Sequence, residues 1–185
     1  MITKAEIVVT TEGISLNGHP LETSGTGSEM LHEAYRRYVN DYPKFFKMDG
    51  LSKLGFLASE LLLNHLEEER FVPREDRAVV LFNRSGSIEA DRHYQSTISD
   101  AENFFPSPSV FVYTLPNIVT GEISIRNKYL GETSFFVLDH EDTSKMQQLI
   151  EAALTDGCTQ SILTGWVDFF DGNHFEAKLV LVYRE

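Results

Sequence analysis

The sequence predicts an α/β fold, a mixed sheet of about five strands with helices on both faces, and three observations carry that expectation. Residues 77–82 are a continuous apolar run of strand length, ending in the turn signal Asn83-Arg-Ser-Gly86. Residues 51–69 hold the clearest helical stripe, with Leu54, Leu57, Leu61, Leu62, His65 and Leu66 on one side. Residues 131–165 read as strand, connection, helix, tight turn and strand. Within them, 134–138 is the short apolar run of a fully buried strand, and 139–144 offers several N-caps with acids suited to the positive end of a helix. Met146, Leu149, Ile150, Ala153 and Leu154 recur at helical spacing, and Gly157 stands where a C-cap glycine would stop the helix. Residues 161–164 then open a strand, so the unit is expected to be a parallel, right-handed crossover.

The other elements follow in order. Residues 5–10 and 13–17 are β-rich around Thr11-Glu12 and predict a hairpin or a bent strand. Residues 30–39 place Met30, Leu31, Ala34, Tyr35 and Tyr38 on one side of a short helix. Gly25-Thr-Gly27 before it lacks the lysine and spacing of a phosphate loop, and is read as a flexible connection. Residues 87–100 suit a mostly polar helix anchored by Ile88 and Ile98. Val110 to Tyr113 has strand propensity but also fits a short helical turn. Residues 115–131 are read as a helix from Asn117, with Gly131 as terminator, although their β-branched residues also suit a strand. Asp171-Gly-Asn173 is a hairpin turn between 167–170 and an apolar run at 175–183.

Length and composition bound the rest. A chain of 185 residues with 42% apolar content suits one globular domain spanning 1–185. A formal charge of −12 argues against nucleic acid and against an anionic membrane surface, because both are bound by cations. Cys158 is the only cysteine, so no intrachain disulfide can form and a reducing, cytoplasmic location is expected. No signal peptide is visible at the N-terminus and no run is long enough to span a membrane. Cys158 is expected at the start of a buried strand as a small hydrophobe. Asp139, Glu141 and Asp142 could pair as ligands, but helix capping accounts for them without a metal. His65 is expected to be a core or edge histidine, and the other histidines share no metal-ligand spacing. No metal and no cofactor is expected.

The landmarks of residues 131–165 resemble the nucleophile segment of β-ketoacyl synthases in the thiolase-like superfamily. In that family a strand ends at a catalytic cysteine, a buried helix follows and ends in a glycine, and the next strand runs into a Gly-Gly pair. Gly157 and Gly165-Trp166 match the later landmarks, with Trp166 in place of the second glycine. The family spacing, counted back from Gly157, lands on His140 within a residue, so the nucleophile position carries no cysteine. Lys47-Met-Asp49 before an apolar helix is similar to an early family helix, and Pro116-Asn117 to the segment preceding the nucleophile strand.

The resemblance implies one half of a thiolase fold, the half without the two basic or amide side chains that stabilise the enolate and oxyanion. It therefore implies a non-catalytic accessory or scaffold subunit in fatty-acid, polyketide or aryl-polyene-type synthesis. Two alternatives stay open: an acyl transferase or thioester hydrolase using His140, with Asp139 or a partner's groups, and a metabolite-binding α/β module. The competing role for His140 is structural, capping a helix or facing an interface. The implied partners are a second copy or a ketosynthase, joined through residues 134–138, and an acyl carrier protein. A carrier protein is acidic, so Lys44, Lys47, Arg84, Arg126 or Lys128 would have to gather into a patch. A lone half is also expected to expose an apolar helix face around Ile150 and Leu154.

Overall fold

Alternating apolar residues build the sheet from both ends of the chain inward. In the computed structural model, which describes every residue but Glu67, Asn103 and Glu185, the chain begins with Ile2–Thr10 (β1), Ile14–Leu16 (β2) and His19–Pro20 (β3). Gly27–Tyr38 (α1), a 3₁₀ turn at Pro43–Lys47 and Gly50–His65 (α2) lead into Arg77–Asn83 (β4). Ile88–Ile98 (α3), Pro108–Val112 (α4) and Ile118–Asn127 (α5) precede Thr133–Val137 (β5). Thr143–Ala153 (α6), Ser161–Asp171 (β6) and His174–Tyr183 (β7) complete the described elements. The helix expected at 51–69 thus ends at His65, and Glu67 lies outside the described residues. Among those residues no helix is long and apolar enough to cross a membrane.

The sheet has seven strands in the order β3-β2-β1-β7-β6-β4-β5, two more than expected. The difference lies at the N-terminus: residues 5–10 and 13–17 form the hairpin β1–β2 and not one bent strand, and the two-residue β3, too short to leave an alternation pattern, is added beyond it. The 115–131 segment is helical as α5, and residues 110–113 fall in helix α4 and its cap rather than in a strand. A left-handed Lys128, not Gly131, ends α5, and Asn117 makes no side-chain cap.

β4 pairs in parallel with both β5 and β6, so the β5–α6–β6 crossover straddles β4. The fully buried strand is β4; β5 is the sheet edge, and its apolar run is only half covered. Gly165 shows how tightly the centre is drawn: its φ is +143°, and a Cβ there would lie 1.9 Å from the Lys178 carbonyl oxygen on β7.

The two faces are covered unequally. The first holds the main core, where Ile7, Val9, Leu81, Leu163, Val167, Leu179 and Leu181 meet α1, α2 and α5. The second holds Ala78, Val80, Phe82, Ile162 and Trp166 under α6 alone. Leu154 is buried there and Ile150 packs partly against the sheet, so the bare apolar face expected around them does not form. The helix stops at Ala153 because Thr155 turns back onto Ala152, and Gly157 sits beyond it in the turn.

Candidate functional site

The position singled out by the family spacing lies at the carboxyl end of β5. The Leu138 N–H donates to the Asn83 carbonyl at 2.8 Å, which ties the ends of β4 and β5 together. Asp142 then caps α6 by accepting from the Lys145 N–H at 3.0 Å, and Glu141 reaches Lys178 at 2.9 Å. Asp139 and His140 sit exposed between these anchors. Among the described residues the His140 ring makes no hydrogen bond, to Asp139 or to any other group.

Cys158 is not a buried small hydrophobe. It is exposed, because Asp156 captures the N–H groups of Cys158 and Thr159 at 2.9 and 2.8 Å in a turn that holds it outside the strand, which opens at Ser161. It stands at the start of β6, the opposite end of the parallel strands from His140, so the two cannot act together. His65 is exposed at the end of α2, where its Nε2 lies 3.0 Å from Asn17 Nδ2. Among the described residues no three His, Cys, Asp or Glu side chains cluster as metal ligands.

A second place is better formed. A cleft of about 500 Å³ opens between the 3₁₀ turn, the start of α2, α3 and α4. A smaller hollow of about 240 Å³ under α1 shares Gly50, Lys53 and Glu89 with it. Gly50 allows α2 to start flush on Phe169, since a Cβ would lie 2.1 Å from that ring. The cleft wall is Met48, Ala90, Val110 and Tyr113, and Lys44, Lys47 and Lys53 approach it with Asp49 and Glu89.

Burial shapes the charges here. Asp49 caps α2 by accepting from the Ser52 N–H at 3.1 Å, yet burial pushes its carboxyl up to about 6. Burial pushes Lys53 down, and the charges of Asp49 and Glu89 offset this only in part. His32 is lowered by burial first, then by Lys53 and Arg36. Tyr113 is pushed up to about 12 by burial and by Glu122, whose Oε1 pairs with Lys44 at 2.7 Å.

Of the five cations named from the sequence, Lys44 and Lys47 meet at this cleft and the others do not. Arg126 is held by Asp41 at 2.6 Å and by the buried Glu60, which Arg70 also grips. Arg84 lies on the loop after β4, and Lys128 on the far side of α5. Sequence reasoning missed Lys53, Glu89 and Tyr113. The signal was present for Lys53, a charge inside an apolar helix, but its partners come from separate elements.

No protein-family model matches the sequence, and no curated protein matches it. Solved structures do. The ishigamide ketosynthase/chain length factor is 17% identical with a TM-score of 0.71, over 99% of this chain and 62% of that one. The ketosynthase ApeO in complex with its chain length factor ApeC, from Xenorhabdus doucetiae, gives 13%, 0.61, 100% and 80% in the same order. A type II polyketide synthase acyl-carrier protein in complex with its ketosynthase, bound to the hexaketide, gives 17%, 0.57, 81% and 50%. The chain thus spans 62% of the first of these structures. At these identities the likeness is one of fold: the chain has the ketosynthase-like, thiolase-type fold.

Proposed function

We propose that this chain is a non-catalytic, ketosynthase-like subunit that pairs with a ketosynthase in the assembly of a polyketide, fatty-acyl or aryl-polyene-type chain. The observation that carries the proposal is the end of β5. Where the family has a nucleophile held at a buried helix, this chain has an exposed histidine whose ring makes no hydrogen bond among the described residues. A thiolate needs a base or donors around it to form and attack.

The pairing surface is the outer edge of β5. The opposite sheet edge is the two-residue β3, blunted by its shortness, whereas β5 presents five residues of backbone. Val137 is 54% exposed on β5, and Ile125 and Leu130 beside it are 67% and 64% exposed. An antiparallel strand added there would satisfy the open backbone groups and cover these side chains. A carrier protein would meet Lys44 and Lys47, the two cations of the expected set that come together.

The test is to tag the full chain in its native cells, capture it and identify the bound chains by mass spectrometry. A ketosynthase that is retained by wild type and lost with Val137→Lys supports the proposal; recovery of the chain alone overturns it in favour of self-pairing. The enzyme alternative rests on the ring of His140 being unengaged. Thioester hydrolysis or acyl transfer by wild type that His140→Ala abolishes would establish it. Activity that is absent, or equal in both, leaves the subunit role.

A further inference from the structure

We infer that the cleft between the 3₁₀ turn, α2, α3 and α4 is a binding site for a small amphipathic anion, an apolar body carrying one carboxylate-like head. This goes beyond the subunit role and stands without it. Three observations converge. The cleft has a volume of about 500 Å³, within the range of small-ligand pockets. Its wall is largely apolar, from Met48, Ala90, Val110 and Tyr113, of which Met48 and Ala90 are buried in the fold.

The third observation is the charge at the cleft. In a chain with 28 acidic and 16 basic residues, three lysines line one cleft against two carboxylates. Lys44 is held by Glu122 at 2.7 Å. The Asp49 carboxylate is engaged by the Ser52 N–H, as the cap of α2. Lys53 is half-buried and makes no direct ion pair among the described residues, although the charges of Asp49 and Glu89 act on it across the cleft. A half-buried ammonium without a contacting anion carries a desolvation cost that a ligand head would offset. Lys47, exposed and without an ion pair among the described residues, lies at the same cleft to guide that head. The hollow under α1, of about 240 Å³, shares Gly50, Lys53 and Glu89 with the cleft.

The experiment uses the full chain and octanoate as the probe, read by calorimetry and by amide chemical shifts. Saturable one-site binding is expected, with the shifts centred on Met48, Lys53, Ala90 and Val110. Lys53→Met is expected to weaken binding at least tenfold, and Ala90→Phe, which fills the cleft, to abolish it. Lys128→Met, on the far side of α5, should leave it unchanged. Octanol, with the same tail and no charge, should bind at least tenfold more weakly. The proposal is overturned if octanoate does not saturate, if octanol binds equally well, or if the shifts fall elsewhere. The last readout needs no variant, so a substitution that fails to fold leaves the test intact.

Discussion

Helices α2 and α6 lie on opposite faces of one sheet and show opposite solutions to being a helix. Twelve of the sixteen residues of α2 are buried, and its two interior charges, Lys53 and Glu60, each have a special setting. Glu60 is gripped by Arg70 and Arg126, while Lys53 faces the cleft. In α6 only Ala153 is buried, and Lys145, Gln147, Gln148 and Glu151 face solvent. The family resemblance makes the helix after the nucleophile position the buried centre of the fold. In this chain that helix is the thin, solvated layer, and the buried helix is α2. Asp49 and Lys53, groups with shifted ionisation, lie at the start of α2 and not at the end of β5.

Substitutions can break or sharpen that contrast. The largest effect is expected from Leu57→Ala, which empties a fully buried site in α2 and should cost about 3–4 kcal/mol in chemical denaturation. A loss under about 1 kcal/mol would mean that α2 is not the centre of the core.

Asp49→Asn comes next, and its sign depends on pH. The folded carboxyl titrates near 6 against an ordinary value of 3.8, so folding takes up a proton between those two pH values. Acidification through that window stabilises the fold at this site, and the contribution is lost as pH rises through about 6. Asn caps a helix as well as Asp does. Relative to wild type, the variant should therefore gain about 1–3 kcal/mol between pH 4 and pH 7.5. A difference that does not vary with pH would rule out the buried carboxylate.

The smallest effect is expected from Leu149→Ala on α6. This half-exposed residue should cost about 1 kcal/mol, and the ratio to Leu57→Ala measures how unequal the two faces are.

Where the sequence was legible, the pattern was local. The stripe of α2, the run of β4, the Asp171-Gly-Asn173 turn and the helix over 118–127 all carry periods or turn residues that act within a few positions. Where it misled, a neighbour decided. Phe135 and Phe136 point to opposite faces and both find apolar partners, so residues 134–138 look like a central strand. Nothing within the run records that no strand lies beyond it. Cys158 was misplaced because Asp156 draws two N–H groups into a turn that holds it outside the strand, which opens at Ser161 as expected. The resemblance, through the family spacing, pointed to His140 within a residue, but the exposure of that residue and of Asp139 lies with how Asp142 and Glu141 are anchored. The cleft was invisible for the same reason, since α2, α3, α4 and the 3₁₀ turn meet there from separated stretches.

The pairing of β1 with β7 has a further consequence. All the other described elements lie between β1 and β7 in the sequence, so this ladder joins two widely separated strands. Until β7 pairs, Ile7 and Val9 have one short partner strand, and the apolar sides of α2 lack half of the surface they pack on. Long-range pairing of this kind delays folding and leaves sticky intermediates exposed. A fragment that stops short of β7 should therefore be far more protease-sensitive than the whole chain.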